Sequence, residues 1–181
     1  MKRLVLLAIL ILGLIGTQIQ ATDIIKPRVL VSTDIGGTDP DDNQSMAHLL
    51  MYTDCLDLEG IVSSPSYGSG NREEILRMID LYEKDLPKLS EHIKGLMSPA
   101  ELRAITKQGR KGAAPYRGFL TPTEGSRWIV QCARRQDERP LWISVWGGLD
   151  DVAQALHDAP DIVESRRPSG LRKTKLPYNS L

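Results

Sequence analysis

A chain of 181 residues with 41% hydrophobic and 25% charged side chains holds enough apolar material for one packed domain, which excludes a globally disordered protein. The formal net charge is zero but unevenly spread: residues 22–163 carry 16 basic and 22 acidic side chains, while Arg166, Arg167, Arg172, Lys173 and Lys175 crowd the end. No basic stripe crosses the middle, which argues against a nucleic-acid partner.

Residues 1–21 begin with Lys2 and Arg3, continue through a 13-residue apolar run from Leu4 to Gly16, and end on a short polar stretch closing with Ala21. This is the pattern of a secretory signal peptide cleaved after Ala21. An N-terminal anchor is the alternative, and the apolar run is short for one. The expectation is a secreted or periplasmic protein with no membrane attachment after cleavage.

Arg28–Thr33 reads as a buried strand, short and β-branched. Asp41 or Asp42 then caps a helix through Tyr52 with Met46, Leu49 and Leu50 on its apolar face. Leu56–Ser63 is a second strand, and Ser64–Gly70 a loop. Asn71–Leu81 is a helix capped by Asn71. Ser98–Lys107 is another, opened by Ser98 and Pro99 in the order a first turn prefers. Gln108–Pro122 is a long irregular stretch of the kind that usually has work to do. Thr123–Arg135 is a helix, Leu141–Val145 a strand, and Gly148–His157 a last helix in which Asp150 and Asp151 cap the first turn.

This alternation predicts an α/β fold with an open, mainly parallel sheet and helices on both faces. Ligands of such sheets bind beyond the carboxyl ends of the strands. The acidic stretch STDIGGTDPDD, residues 32–42, Ser63–Gly70 and Trp146–Asp151 all fall at that end. Asp34, Asp39, Asp41 and Asp42 repel one another unless water, a cation or a hydroxyl-rich substrate offsets their charge. Gly36 and Gly37 let the loop turn tightly, and Pro40 stiffens it. The spacing is not that of an EF-hand, and no His or Cys pair lies close enough for zinc. From the residues alone, binding of a hard cation and a solvated acidic turn stand level.

The stretch "VLVSTDIGGTDPDDNQSMAHLL" resembles the signature of the nucleoside hydrolase superfamily, and more closely that of secreted nucleoside-hydrolase-like proteins described as cellulose-binding. The resemblance continues through "DLEGIVSSPSYGSGNREEIL" and "PLWISVWGGLDDVAQALHDAPDI" and covers about residues 27–162. It implies a Ca2+ cofactor and hydrolysis of N-glycosyl bonds by water attack at a sugar anomeric carbon. Asp34 would be calcium ligand and base, Asp42 a second ligand, and Trp146 a ligand through its backbone carbonyl. Asp41 would bind sugar hydroxyls, with Ser64 and Asn71 in the loop beside the sugar. The ligand would be a nucleoside or a carbohydrate, and a non-catalytic cellulose-binding protein is the alternative. Asp34 to Asp41 spans seven positions, longer than in typical nucleoside hydrolases, and Ser32 stands where the superfamily carries a further aspartate.

The superfamily pattern stops near Ile162. Residues 164–181 are basic and rich in Pro and Ser, without strand or helix period, and read as a disordered or out-of-frame tail. Residues 22–163 would then be an incomplete nucleoside-hydrolase-like domain, and the chain an inactive truncated fragment in the third reading. Oligomeric state is left open. Trp128 and Trp142 lie within predicted elements and are expected in the core, whereas Trp146 and Tyr67 sit where a sugar could stack. Tyr116 and Arg117 are placed in the long loop, and His48, His92 and His157 on the surface. Cys55 and Cys132 set no pattern, and both a disulfide and buried free thiols are open.

Overall fold

The computed structural model describes residues 25–37, 40–65, 68 and 70–164. The predicted leader, the tail beyond residue 164, Asp39 and Tyr67 lie outside the described residues. Four strands and six helices follow in the order β1 (Arg28–Thr33), α1 (Asp41–Met51), β2 (Asp57–Ser63), α2 (Arg72–His92), α3 (Pro99–Ile105), β3 (Thr106–Gln108), α4 (Glu124–Arg134), β4 (Leu141–Trp146), α5 (Asp150–Asp158) and α6 (Asp161–Glu164). No helix among the described residues is long and apolar enough to cross a membrane.

All strands are parallel, in the order β3-β2-β1-β4. Every connection is therefore a crossover, and helices cover both faces, as expected. Val31, Leu58 and Ile61 pack with α1, α2 and α3 through Met46, Leu50 and Ile79. Leu30 and Val62 pack on the other face with Ile129 of α4 and Val152 and Ala155 of α5. Leu58 and Ile61 are three apart yet face the same layer. The register explains this: Val29 pairs with Leu58 and Leu30 with Gly60, so Glu59 is an extra residue in β2.

That bulge sets the charge chemistry at the amino ends of the strands. Arg28 is fully buried. Its guanidinium donates through Nε and Nη2 to the Glu59 carboxylate, through Nη2 to the Cys132 carbonyl (2.8 Å) and through Nη1 to the Arg139 carbonyl (3.0 Å). Arg135 adds a second cation to Glu59 at 2.9 Å. Arg139 bridges Asp57 (2.7 Å) and Asp137 (2.6 Å). Hydrogen bonds from Arg139 hold the Asp137 carboxyl far below the usual carboxylate range.

Several boundaries differ from expectation. Neither Asp41 nor Asp42 caps α1: Pro40 occupies the N-cap, and both aspartates lie in the first turn, where the helix dipole favours them. Asn71 is at the N-cap of α2, without a side-chain capping bond. Helix α2 runs to His92 rather than Leu81, because Tyr82, Leu86 and Leu89 continue its apolar face while Pro87 sits on the exposed side. Ser98 caps α3 reciprocally with Glu101, but that helix ends at Ile105, and Thr106–Gln108 pair with Ile61–Ser63 as a strand. Thr123 caps α4, with Ser126 as its reciprocal partner. Trp142 is 63% exposed rather than in the core, because β4 is the last strand of the sheet among the described residues. Cys55 is exposed and Cys132 buried, and both are free thiols.

Two outcomes follow from the buried ion pair. Arg28→Ala leaves the buried Glu59 carboxylate with Arg135 alone as counter-charge and should cost about 3 kcal/mol in chemical denaturation, whereas the paired Arg28→Met and Glu59→Leu change should recover much of it. Asp137 has a depressed folded-state pKa, so its stabilisation is present above its unfolded value of about 3.9 and is lost as pH falls through the lower folded value. Asp137→Asn should lower the melting temperature at pH 7, and the gap to the wild type should narrow as pH drops below about 4.

Candidate functional site

Beyond the carboxyl ends of the strands, four loops meet. They follow β1, β2, β3 and β4, and the sheet order brings them together without further help. Asp34 is the first residue past β1. Its backbone N–H donates to the Trp146 carbonyl at 3.0 Å, extending the β1–β4 ladder by one bond. Asp42, in the first turn of α1, points back at the strand: the Thr33 hydroxyl donates to its Oδ2 at 2.6 Å and also accepts the Ile35 N–H at 3.1 Å.

The Asp34 and Asp42 carboxyls stand within hydrogen-bonding reach of each other. Burial first, and then the adjoining Asp34 carboxyl, push Asp42 up from the ordinary carboxylate range, against the pull of the Thr33 hydroxyl. Two acids held so close can share a proton or a cation.

The turn after β4 makes room for it. Gly147 has φ +70°, and a Cβ there would lie 2.3 Å from Asp34 Oδ2. A Cβ on Gly148 would lie 2.2 Å from the Ser64 carbonyl oxygen. Only glycine fits both contacts. Ser32 donates its hydroxyl to the Gly148 carbonyl at 2.5 Å and fastens the same turn to β1. Trp146 does lie at this junction, and its carbonyl oxygen accepts two N–H groups, from Asp34 (3.0 Å) and Gly148 (2.8 Å).

The remaining expected site residues are more dispersed. Asp41 is exposed, and its carboxylate accepts the Asp42 N–H at 2.9 Å. Asn71 lies against Gly36 and borders a polar cavity of about 560 Å³ with Asn43, Glu74 and Arg77. Ser64 is fully buried, and its hydroxyl accepts the Asp151 N–H at 3.0 Å, so it supports the floor of the site rather than its surface.

Four residues that matter here were given no side-chain role at the site from the sequence. Thr33 reads simply as the end of a β-branched strand. The Gly147–Gly148 pair was visible as a double glycine after an apolar run, which is the signal for close backbone approach. Asp151 was expected to cap a helix, yet it is 1% exposed and its carboxylate accepts the Arg110 N–H (2.9 Å) and the Thr123 hydroxyl. With Asp150 accepting the Ala114 N–H and Gln154 the Leu120 N–H, α5 fixes the long loop after β3 along its length. Tyr116, on that loop, is fully exposed.

Among the described residues no group of three or more His, Cys, Asp or Glu side chains is placed to hold a metal. The acids in contact are the pair Asp34 and Asp42, which suit a hard, oxygen-seeking ion.

A comparison with solved structures finds a nucleoside hydrolase-related hypothetical protein from Saccharophagus degradans that is associated with carbohydrate metabolism, 30% identical, with a TM-score of 0.68. The match covers 80% of this chain and 35% of that one, so this chain spans about a third of the length of the solved protein. No curated protein matches. A family model described as cellulose-binding Sde182, nucleoside hydrolase-like domain, matches residues 28–175, and the chain belongs to that family.

Proposed function

We propose that this domain carries the acid face of an N-glycosyl hydrolase site that takes a nucleoside or a related carbohydrate. The single observation that supports it is the contact between the Asp34 and Asp42 carboxyls at the carboxyl end of β1, braced by Thr33 and by the glycine turn after β4. Breaking a bond between an anomeric carbon and nitrogen develops positive charge on the sugar, which adjoining carboxylates favour. Asp34 takes the proton of the attacking water, the new carbon–oxygen bond forms at the anomeric carbon, and the carbon–nitrogen bond breaks with its electron pair leaving on the nitrogen. Asp41, exposed beside the pair, is available to sugar hydroxyls.

The donor chemistry fits calcium, which Asp34 and Asp42 would hold. Held there, the ion would supply positive charge that offsets the two carboxylates and would acidify a nearby water. The Trp146 carbonyl would have to share its oxygen with two N–H groups already bound to it.

The second reading is a secreted carbohydrate-binding protein without turnover. It is favoured by the cellulose-binding description of the family, which also supports an extracellular location.

The experiment is to follow ribose release from a panel of nucleosides by the purified chain, with calcium and after chelation. The hydrolase reading expects release that falls about 10²–10⁴-fold in Asp34→Asn. No release, together with retention on insoluble cellulose, would replace it with the binding reading. Calcium should raise the melting temperature of the wild type and leave that of Asp34→Asn and Asp42→Asn unmoved. In Gly147→Ala the new methyl displaces the Asp34 carboxylate, and turnover should fall about 100-fold while circular dichroism stays native.

A further inference from the structure

The loop between β3 and α4 is held along its length by one side of α5. Asp150, Asp151, Gln154 and His157 lie on that side, within two turns of the helix. Three of them take backbone N–H groups of the loop: Asp151 that of Arg110 (2.9 Å), Asp150 that of Ala114, and Gln154 that of Leu120 (2.8 Å). The fourth, His157, holds a side chain instead. Its imidazole stacks on the Phe119 ring, with centroids 3.7 Å apart and planes 19° from parallel. His157 Nδ1 lies 3.1 Å from Asp158 Oδ1. The Gln154 amide donates to both oxygens of that carboxylate at 2.9 Å and so joins it to the loop backbone. At the other end of the loop, the Gly109 N–H donates to the Ser63 carbonyl at 2.9 Å, at the candidate site.

We propose that His157 is a pH-responsive latch for this loop: as imidazolium it holds Phe119, and with it the α4 end of the loop, to α5 more tightly than it does as neutral imidazole. Imidazole is the side chain that ordinarily changes charge between about pH 5 and 8. The other three anchors are two carboxylates and an amide, so the switch belongs to the Phe119 end. The neighbours of the ring set its direction. A proton there places a cation against the face of Phe119 and beside the Asp158 carboxylate. The Gln154 amide first, and then His157 and Arg127 of α4, hold Asp158 below the usual carboxylate range, so it is charged throughout that interval. Cations oppose the effect: Arg127, and Arg117 of the loop, whose guanidinium lies 5.2 Å over the Phe119 ring. Arg134 of α4, which borders a cavity with Arg127 and Asp158, is engaged by Asp161 of α6 at 2.8 Å. The Asp158 carboxylate touches the imidazole directly, whereas Arg117 contacts the phenyl ring, so attraction wins. The added hold is complete on the acid side of the imidazole range and is lost as pH rises through it.

The test is hydrogen exchange of the purified full chain at about pH 5.5 and about pH 7.5, either side of the imidazole range. Rates are divided by the intrinsic exchange rate at each pH and read on peptides spanning residues 114–122. Protection there should be about fivefold higher at the lower pH. His157→Gln keeps a planar polar side chain without the proton, and should remove the pH difference while circular dichroism stays native. Phe119→Leu keeps an apolar side chain without a ring face, and should shrink the difference. Equal protection at the two pH values overturns the latch, as does higher protection at the upper one. A difference that survives in His157→Gln overturns it too, and would move the sensor to another group. The measurement needs no turnover, so it stands whether or not nucleosides are cleaved.

Discussion

A fully buried guanidinium is the constraint around which this fold is arranged. Arg28 opens the strand that lies between β2 and β4, and it reaches no water. An ion in that position needs a counter-charge and partners for its remaining N–H groups, or the sheet does not form. The chain supplies them from three places. The extra residue in β2 brings the Glu59 carboxylate to it, the end of α4 offers the Cys132 carbonyl, and the lead into β4 offers the Arg139 carbonyl. The same bulge shifts the facing of β2, so that Leu58 and Ile61 both reach the α1–α3 layer. One ion pair thus fixes the register of β1 against β2 and docks α4 and the approach to β4.

The opposite end of β1 poses the converse problem. There the chain gathers like charges instead of opposite ones, and it holds them by backbone geometry. Thr33 binds Asp42, Ser32 binds the Gly148 carbonyl, and the glycine turn leaves space for the Asp34 carboxylate. Behind this, Ser64 and Asp151 join the loop after β2 to α5, and Asp151 joins α5 to the loop after β3. Positions 32, 33 and 34 therefore act through neighbours from the loops after β1, β2 and β4. The amino end of the sheet is a satisfied ion network, and stability resides there. The carboxyl end keeps Asp42 raised in pKa by burial beside the Asp34 carboxyl, and chemistry is expected at such places.

Much of this could be read from the sequence because it depends on local pattern. The β-branched run at 28–33, the turn residues behind it and the alternation with helices specify a parallel sheet, and the topology then collects the loop ends on one side. That Asp34 and Asp42 share one acidic loop is plain in the sequence. What could not be read depends on partners distant in sequence. Asp151 looks like an ordinary first-turn acid until Arg110 and Thr123 are brought to it. Ser64 looks like a loop hydroxyl until α5 covers it. Trp142 sits inside a strand and so reads as core, but its exposure depends on whether another strand follows beside it. The three residues of β3 are too few for any period, and only pairing with β2 makes them a strand.

The two sides of the sheet use tryptophan differently. β3 shields only Ile61–Ser63, leaving the start of β2 without a neighbour strand on that side among the described residues. That gap is closed by side chains: the Trp128 indole donates to the Glu59 carbonyl at 2.9 Å, the Cys132 thiol approaches it at 3.6 Å, and the Lys107 ammonium lies 4.3 Å above the indole ring. An aromatic donor plugs the carbonyl and a cation sits over the plug, so the position is closed to an incoming strand. Burial also pushes the Cys132 thiol up to about 12, which leaves it inert and serving as packing. Trp142 and Trp146 on β4 form no such plug, for they rise from one face of their strand. The same residue type closes a gap beside β2 and lines a face of β4, and the difference lies in whether the indole stands beside the strand or upon it.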